Sequence, residues 1–480
     1  MAKLGELEKQ KVFYYFEKIC SIPHGSGNMD AISDFLVEFA KEHNLKYIQD
    51  DAKNVIIYKD ATKGYENSGA IIMQGHIDMV CQKTEDCTID FLKDAIDIYI
   101  DGDFIRAKGT TLGADNGIGA ALILAVLDSD NVSHPPIEAV FTTDEEIGML
   151  GAVKLDMTKF SAKKMINLDC GAKEVAIVSC AGGVDVKISK ELCRKVTSGS
   201  KVTISVDGLL GGHSGSMIHL GRINANVLMG RILSYAKKIA DFDILNLYGG
   251  DKGNVIASRC RAELLVSDAQ VFCEKLEEYF DKLKEELSDC ENGLDITLQI
   301  EEKGNFSAMS KENRDLLIYL LVSLPNGVVD MSKKIPNLVE TSLNLGILNT
   351  DDDKALIVFT VRSNKKSALD YMQEKLFFIA EHNDCTVEAS GHYPPWEYKE
   401  SSEIKDIYLR TYKNMFNSEP IIRAVHAGLE CGVFASKIEG LDCISIGSDM
   451  ADVHTVDERL SISGTEVFYD FLTYFLSECK

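Results

Sequence analysis

Five short stretches hold the residues of this chain best suited to chemistry: QGHIDM with His76 and Asp78, LGADNG with Asp115, TDEEIG with Glu145 and Glu146, NLDCG with Asp169, and ADVHTV with His454. Each places an acid or an imidazole at the end of an apolar run or in a glycine-rich turn. His76 and Asp78 are one residue apart, so in extended backbone they point to the same side. A carboxylate beside a metal-bound imidazole commonly takes the other ring N–H. A histidine standing alone is more often a satisfied core residue, but four further acidic ends accompany this one. Glu145 and Glu146 are adjacent and face opposite ways in extended chain, so one can hold a cation while the other meets a water or a substrate. Asp144 is left with no role beyond shaping the turn.

The glycine-rich loop GTTLGADNGIG invites a phosphate-binding reading, because such loops opening a helix bind anions. It lacks the G-K-[ST] ending of a P-loop, and Asp115 would repel phosphate. Cys170 beside Asp169 has no nearby cysteine partner and reads as a small buried residue. Two histidines and several carboxylates suit zinc, with manganese or cobalt as the other candidates. The donors outnumber what one tetrahedral ion needs, so a two-metal centre follows.

Elements must bring these stretches together. Helical apolar spacing runs over residues 8–22 and 29–43, followed by the β-rich NVIIYKD and GAIIMQGHIDMV, a hairpin around Asp101-Gly102, the helical AALILAVLDSD, and strands entering TDEEIG and NLDCG. Helices alternating with apolar strands predict an α/β domain around a central, mostly parallel sheet, and ligands bind at the carboxyl ends of such strands. From about residue 187 the texture changes. Strand KVTISV, helix 222–239, strand NVIASRCRAELLV, helix 269–288 and strand LDITLQIEE are followed by helix 311–323, strands LVETSLNLG and ALIVFTV, helix 367–382 and strand CTVEAS. This order predicts two α+β units of similar topology. The tail, through PIIRAV, LDCISIG and a terminal helix, returns to the first domain. The expected division is a catalytic domain of residues 1–186 and 398–480 and an inserted domain of residues 187–397.

At 480 residues the chain exceeds one ordinary core. A formal charge of −24 argues against nucleic-acid backbones and anionic membranes as partners. Thirteen scattered cysteines without a C-x-x-C pair read as reduced thiols. The N-terminus lacks the apolar core of a signal peptide, and no stretch reaches the length of a membrane span. These features predict a cytoplasmic protein.

Together, MQGHIDMVCQ, AKGTTLGADNGIGAA, TTDEEIGMLGA, INLDCG, GLLGGHSG, HAGLECG and DVHTVDE resemble, in order and over essentially the whole chain, the dinuclear-zinc exopeptidases and deacylases, and within them the branch of Xaa-His dipeptidases. The resemblance implies a zinc-exopeptidase-like catalytic domain with an inserted α+β lid. It makes His76, Asp115, Glu146, Asp169 and His454 the ligands of two divalent ions, with Asp115 bridging and the Asp115–Asn116 peptide cis. It makes Glu145 the general base for a metal-bridged hydroxide and Asp78 the acid that orients His76. His213 in GGHSG matches a lid histidine that stabilises the oxyanion, Asn254 and Arg362 match positions that recognise the substrate carboxylate, and Glu430 in HAGLECG would meet the substrate's amino group. The implied function is metal-dependent hydrolysis of a small peptide, an Xaa-His dipeptide. A deacylase or carboxypeptidase acting on N-acyl amino acids, or a non-hydrolytic metal-binding scaffold, stands as the alternative. Simpler relatives dimerise through a single-unit lid, whereas this insertion has about twice the content, so its second unit can stand in for a partner's lid; a homodimer is left open, and with it whether His213 acts within its own subunit or across the dimer.

Overall fold

The computed structural model describes Leu4, Leu7 and residues 11–480; what the sequence predicts for residues 1–3, 5, 6 and 8–10, including the start of the first helix, lies outside the described residues. The chain divides into two compact units. The first comprises Met1–Cys180, Trp396–Ala424 and Leu429–Lys480, and the second Ala181–Pro395 and Val425–Gly428. The expected boundaries at 186/187 and 397/398 compare with crossings at 180/181 and 395/396, because Gly182–Glu191 is one unbroken strand of the second unit's sheet.

The first unit is built on an eight-stranded sheet in the order Lys46–Gln49, Val55–Lys59, Ile137–Thr142, Ile71–His76, Lys164–Asn167, Asp442–Ser445, Val175–Cys180, Ile421–Val425. Its centre is parallel: Ile71–His76 runs parallel to both Ile137–Thr142 and Lys164–Asn167, and Asp442–Ser445 parallel to Lys164–Asn167. Toward the edges it becomes antiparallel. The two central strands are buried at every position, as expected where helices cover both faces and the strands read as continuous apolar runs. The helix Ala114–Leu127 is apolar on all sides and buried almost throughout, which marks an interior helix rather than a surface one. It shares one core with the helices Lys11–Cys20, Asp30–Glu42, Glu403–Phe416 and Ile462–Glu478. Register aligns the strand ends: His76 lies opposite Thr142, Gln74 opposite Asn167, and Asn167 opposite Ser445. The residues that follow these ends therefore emerge side by side. The predicted hairpin is present as Ile98–Asp101 paired with Phe104–Ala107, and Gly102 takes the positive φ of 61° its turn requires.

The second unit holds one continuous sheet made of two halves. In the inner half the chain runs Arg194–Asp207, helix Ala225–Ile239, Phe242–Gly249, Cys260–Val266, helix Ala269–Leu287, Asp295–Met309, and the strands lie in the order fourth, first, third, second. In the outer half it runs Gly182–Glu191, helix Lys311–Ser323, Val339–Thr350, Lys354–Ser363, helix Lys366–Glu381, Thr386–Tyr393, with the same order. The two second strands join the halves edge to edge, through Tyr248 opposite Asn349 and Gly249 opposite Leu348. The inner half is thus inserted after the first strand of the outer one. Besides this nesting, where the sequence reading has two consecutive units, two details depart from it. Phe242–Gly249 is a strand that was not anticipated, and NVIASRCRAELLV is two strands, Val255–Ile256 pairing with Gly212–His213 while Cys260–Val266 joins the main sheet.

Candidate metal centre and active site

The site of the first unit grows from the aligned strand ends. Beyond Ile71–His76 the chain delivers Asp78, beyond Ile137–Thr142 it delivers Asp144, Glu145 and Glu146, and beyond Lys164–Asn167 it delivers Asp169. Asp115 enters from the first turn of the central helix, where Asp115 and Asn116 have non-helical backbone angles and the peptide between them is cis. His454 arrives on a loop following Met450–Ala451.

Asp115 stands at the middle. Its Oδ1 lies 3.2 Å from His76 Nε2 and its Oδ2 lies 3.3 Å from His454 Nε2. On the first side, His76 Nε2 also lies 3.9 Å from Asp169 Oδ1. On the other, His454 Nε2 lies 2.8 Å from Glu146 Oε1. Ligand atoms of His76, Asp115 and Glu146 all fall within 4.8 Å of one another. The tautomer of His76 follows from its other nitrogen, whose N–H donates to the Asp78 backbone carbonyl at 3.0 Å. A carbonyl only accepts, so in the neutral ring the Nε2 lone pair faces Asp115. The Asp78 carboxylate is a second neighbour of that nitrogen, at 3.4 Å. It is also an anchor: it accepts the N–H groups of Glu145 at 3.0 Å and Glu146 at 3.2 Å, and the Ser26 hydroxyl at 2.8 Å.

The electrostatics describe a site short of positive charge. Burial disfavours a charged His76, yet hydrogen bonds with Asp115 and Asp78 raise its pKa well above the usual imidazole value. His454 is pushed up to about 10 by Asp115 and Glu146. Burial would raise Asp115, but the two imidazoles hold it well below the carboxylate range. Burial and the charge of Asp115 push Asp169 well up. Glu145 is raised to about 8, by burial first and then by Glu430, Glu146 and Asp115, against the pull of His76. Two imidazoles and three carboxylates arranged as His76 with Asp169 and His454 with Glu146, sharing Asp115, form a donor set that fits two divalent cations of the zinc, manganese or cobalt kind. The Glu145 carboxyl belongs to neither set and has no hydrogen-bond partner among the described residues.

Glu430 is fully buried behind the strand ends. One of its oxygens accepts from Thr142 Oγ1 at 2.7 Å and from Gln74 Nε2, while the other has no hydrogen-bond partner among the described residues. Burial raises its pKa to about 7. Asp144, assigned only to the turn, has a positive φ of 54° and accepts the Gly27 N–H at 2.7 Å. It ties the acidic turn to the loop that also supplies Ser26. Asn or Asp in a turn is the usual local signal for such a backbone, but the distant partner left no trace in sequence.

The remaining predicted residues lie in the second unit. His213 is half-buried on the short strand Gly212–His213. Its Nδ1 accepts the N–H groups of Gly215 at 3.2 Å and Ser216 at 3.1 Å. An atom accepting two N–H groups carries no proton, so the proton of the neutral ring sits on Nε2, free to be donated. Burial and the Arg362 charge lower the pKa of His213, which keeps it in that form. Arg362 is buried, donates to Tyr393 Oη at 2.6 Å, and has no partner for its Nε among the described residues. Its cross-strand partner is Gly183, where a Cβ would lie 2.4 Å from Tyr393 Oη; only glycine leaves room for that pair. Asn254 is exposed, and its carbonyl accepts the Ser214 N–H at 2.9 Å.

Residues 72–478 match the family described as Peptidase family M20/M25/M40. The Escherichia coli (strain K12) protein named cytosol non-specific dipeptidase is 37% identical over 482 residues, covering 100% of this chain and 99% of its own. The crystal structure of aminoacylhistidine dipeptidase from Vibrio alginolyticus superposes with a TM-score of 0.88 at 35% identity, over 97% of this chain and 96% of that one. The aminopeptidase PepT structure from Bacillus cereus, at 14% identity, TM-score 0.57 and 98% coverage of both chains, shares the fold.

Proposed function

The chain belongs to peptidase family M20/M25/M40 and is a peptide-bond hydrolase, and on that premise we propose that it is a two-metal dipeptidase cleaving Xaa-His dipeptides in the cytoplasm. The observation that carries the reading is Asp115, whose two oxygens each face a histidine, with the uncommitted carboxyl of Glu145 beside them. A structural metal site has no use for such a carboxyl.

His76 and Asp169 would hold one ion and His454 and Glu146 the other, with Asp115 shared. Bound there, such ions lower the pKa of a water and polarise a carbonyl oxygen. The positive charge of such ions would also draw the Glu145 carboxyl down from about 8; so ionised, Glu145 accepts a proton as the water oxygen attacks the scissile carbonyl carbon, then delivers it to the amine nitrogen as the C–N bond breaks. Asp78 keeps the backbone of Glu145 and Glu146 in place and holds His76 in its tautomer. His213, with its proton on Nε2, is the donor to the carbonyl oxygen as negative charge develops there. Arg362, buried without a carboxylate partner among the described residues, is the recognition group for the substrate carboxylate, with Asn254 beside the His213 strand as a second contact. Glu430 is the acid assigned to the substrate's amino group. The second unit thus serves as the substrate-recognition lid, whether the protein works as a monomer or as a homodimer.

The likeness to the Vibrio aminoacylhistidine dipeptidase supports histidine at the second position. The word non-specific in the name of the Escherichia coli relative favours a second reading, a broader dipeptide range. The test is a screen of Xaa-His, other dipeptides, tripeptides and N-acyl amino acids with zinc, manganese and cobalt, repeated in excess chelator. Xaa-His turnover that chelation abolishes and added metal restores is the expected result. Preference for N-acyl substrates would replace the reading with a deacylase, and activity surviving chelation would remove the metals from it.

A further inference from the structure

The loop that carries Asp115 is gripped by a residue outside both ligand sets. Glu458 is 2% exposed. Its Oε2 accepts the N–H groups of Leu112 at 2.8 Å and Gly113 at 3.1 Å, and its Oε1 accepts those of Ala114 at 2.9 Å and Asp115 at 3.2 Å. The start of a helix leaves such donors without partners, and Gly113, at the N-cap of Ala114–Leu127, offers no side chain to cap them. Four bonds from consecutive N–H groups converge on one ionisable carboxyl in a water-poor setting, where charge-assisted bonds are strong.

The other end of this grip is His454. The segment between the two residues is bonded to itself: the Glu458 N–H donates to the Thr455 carbonyl at 3.2 Å, the Asp457 N–H to Thr455 Oγ1 at 3.2 Å, and Thr455 Oγ1 to the Asp452 carbonyl at 2.7 Å. His454 itself has a positive φ of 64°, so its backbone is turned by the loop rather than by a regular element. A short self-bonded segment therefore presents His454 to Asp115 Oδ2 with one residue and clamps the backbone N–H of Asp115 with another.

We propose that Glu458 is a positioning residue that sets the separation between Asp115 and His454, and through it the spacing of the two cation sites. This rests on the two-cation reading above. A helix cap acting only on stability would lower the melting temperature and leave the folded protein's cation affinity untouched, whereas loss of a partner that orients a ligand costs about 10- to 100-fold in metal affinity.

The experiment compares metal-stripped wild type, Glu458→Gln and Ser402→Ala, each checked for folding by circular dichroism and titrated with cobalt(II) by calorimetry and visible absorption. Ser402 is an N-cap in the same unit, accepting the Lys405 N–H at 3.2 Å away from the site. Glu458→Gln turns an amide NH2 toward N–H groups that need an acceptor. It is expected to bind at least one cobalt 10- to 100-fold more weakly and with an altered spectrum, and to lose kcat while KM for dipeptide holds. Ser402→Ala is expected to titrate like wild type. Unchanged affinity and spectrum in Glu458→Gln would overturn the proposal while leaving the two-cation reading intact; a wild type that takes up no cobalt would overturn that reading instead. Should Glu458→Gln not fold, Glu458→Asp, one methylene too short to reach both pairs of donors, decides by the same titration.

Discussion

Two pairs of histidines, one pair in each unit, stand in opposite circumstances. In the first, His76 and His454 sit against carboxylates that raise their pKa values. In the second, His213 and His426 sit near Arg362, and burial together with that charge lowers both, His426 to about 3. His426 bonds Ser342 Oγ through Nε2 at 2.7 Å and Asn364 Oδ1 through Nδ1 at 3.2 Å. The same side chain is thus a candidate cation ligand among acids and a neutral hydrogen-bonding group beside a guanidinium. The surroundings, rather than the residue type, decide which.

The contrast breaks most sharply at Glu145, the acid proposed to serve the first unit's chemistry without joining its ligand sets. Glu145→Ala is expected to keep both ions and lose turnover by about 10²- to 10⁴-fold, while Glu146→Ala loses ion occupancy. Steady-state kinetics with elemental analysis of the purified variants separates the two, and similar metal loss in both would erase the division of labour. His213→Ala tests the donor role in the second unit. A fall in kcat of about 10²- to 10³-fold at unchanged metal content is expected, and a variant that loses metal instead would place His213 among the ligands.

Arg362→Lys keeps the charge and removes the planar fork. KM should rise about 10- to 100-fold, the equivalent of one charged hydrogen bond of roughly 1.5–3 kcal/mol. Dipeptide amides, which lack the carboxylate, should lose most of their disadvantage. The smallest effect concerns pH. Because the folded-state pKa of His426 is about 3 against 6.5 for a solvent-exposed imidazole, the unfolded chain binds the extra proton between these values. Stability from this residue is therefore present above about pH 6.5 and is lost as pH falls toward 3. Denaturant titrations of His426→Asn should show a shallower acid decline in that window than wild type, and parallel curves would mean His426 is not held neutral.

Much of the first unit was legible because a parallel sheet leaves a strong trace. Apolar runs ending in His76, Glu145 and Asp169 place those residues at adjacent strand ends, and alternation alone separates Glu145 from Glu146. What escaped depends on contacts between distant parts of the chain. Glu458 follows no periodic run, and its partners are backbone N–H groups, which look alike in any sequence. Asp144 reads as a turn residue whichever N–H it accepts. In the second unit helices and strands were readable one by one, but their assignment to halves was not. Gly182–Glu191 pairs with Lys354–Ser363 and Thr386–Tyr393 across an intervening half, and antiparallel partners carry no mark of how far apart they lie. The buried strand Phe242–Gly249 follows its helix so closely that no turn signal separates them.

The nested connectivity of that second unit also sets an order of events in time. Apart from the Tyr248–Asn349 and Gly249–Leu348 pairs that join the halves, the strands of the inner half find their partners within residues 194–309, so this half can assemble as soon as that stretch has left the ribosome. Gly182–Glu191 is synthesised earlier and must wait, with both edges unpaired, until Lys354–Ser363 and Thr386–Tyr393 emerge. Loop closure over that span is slower than the local pairing inside, and an unpaired edge is a template for mispairing with other chains. Folding speed and the tendency to aggregate during synthesis are therefore governed by the outer half, however stable the finished sheet becomes.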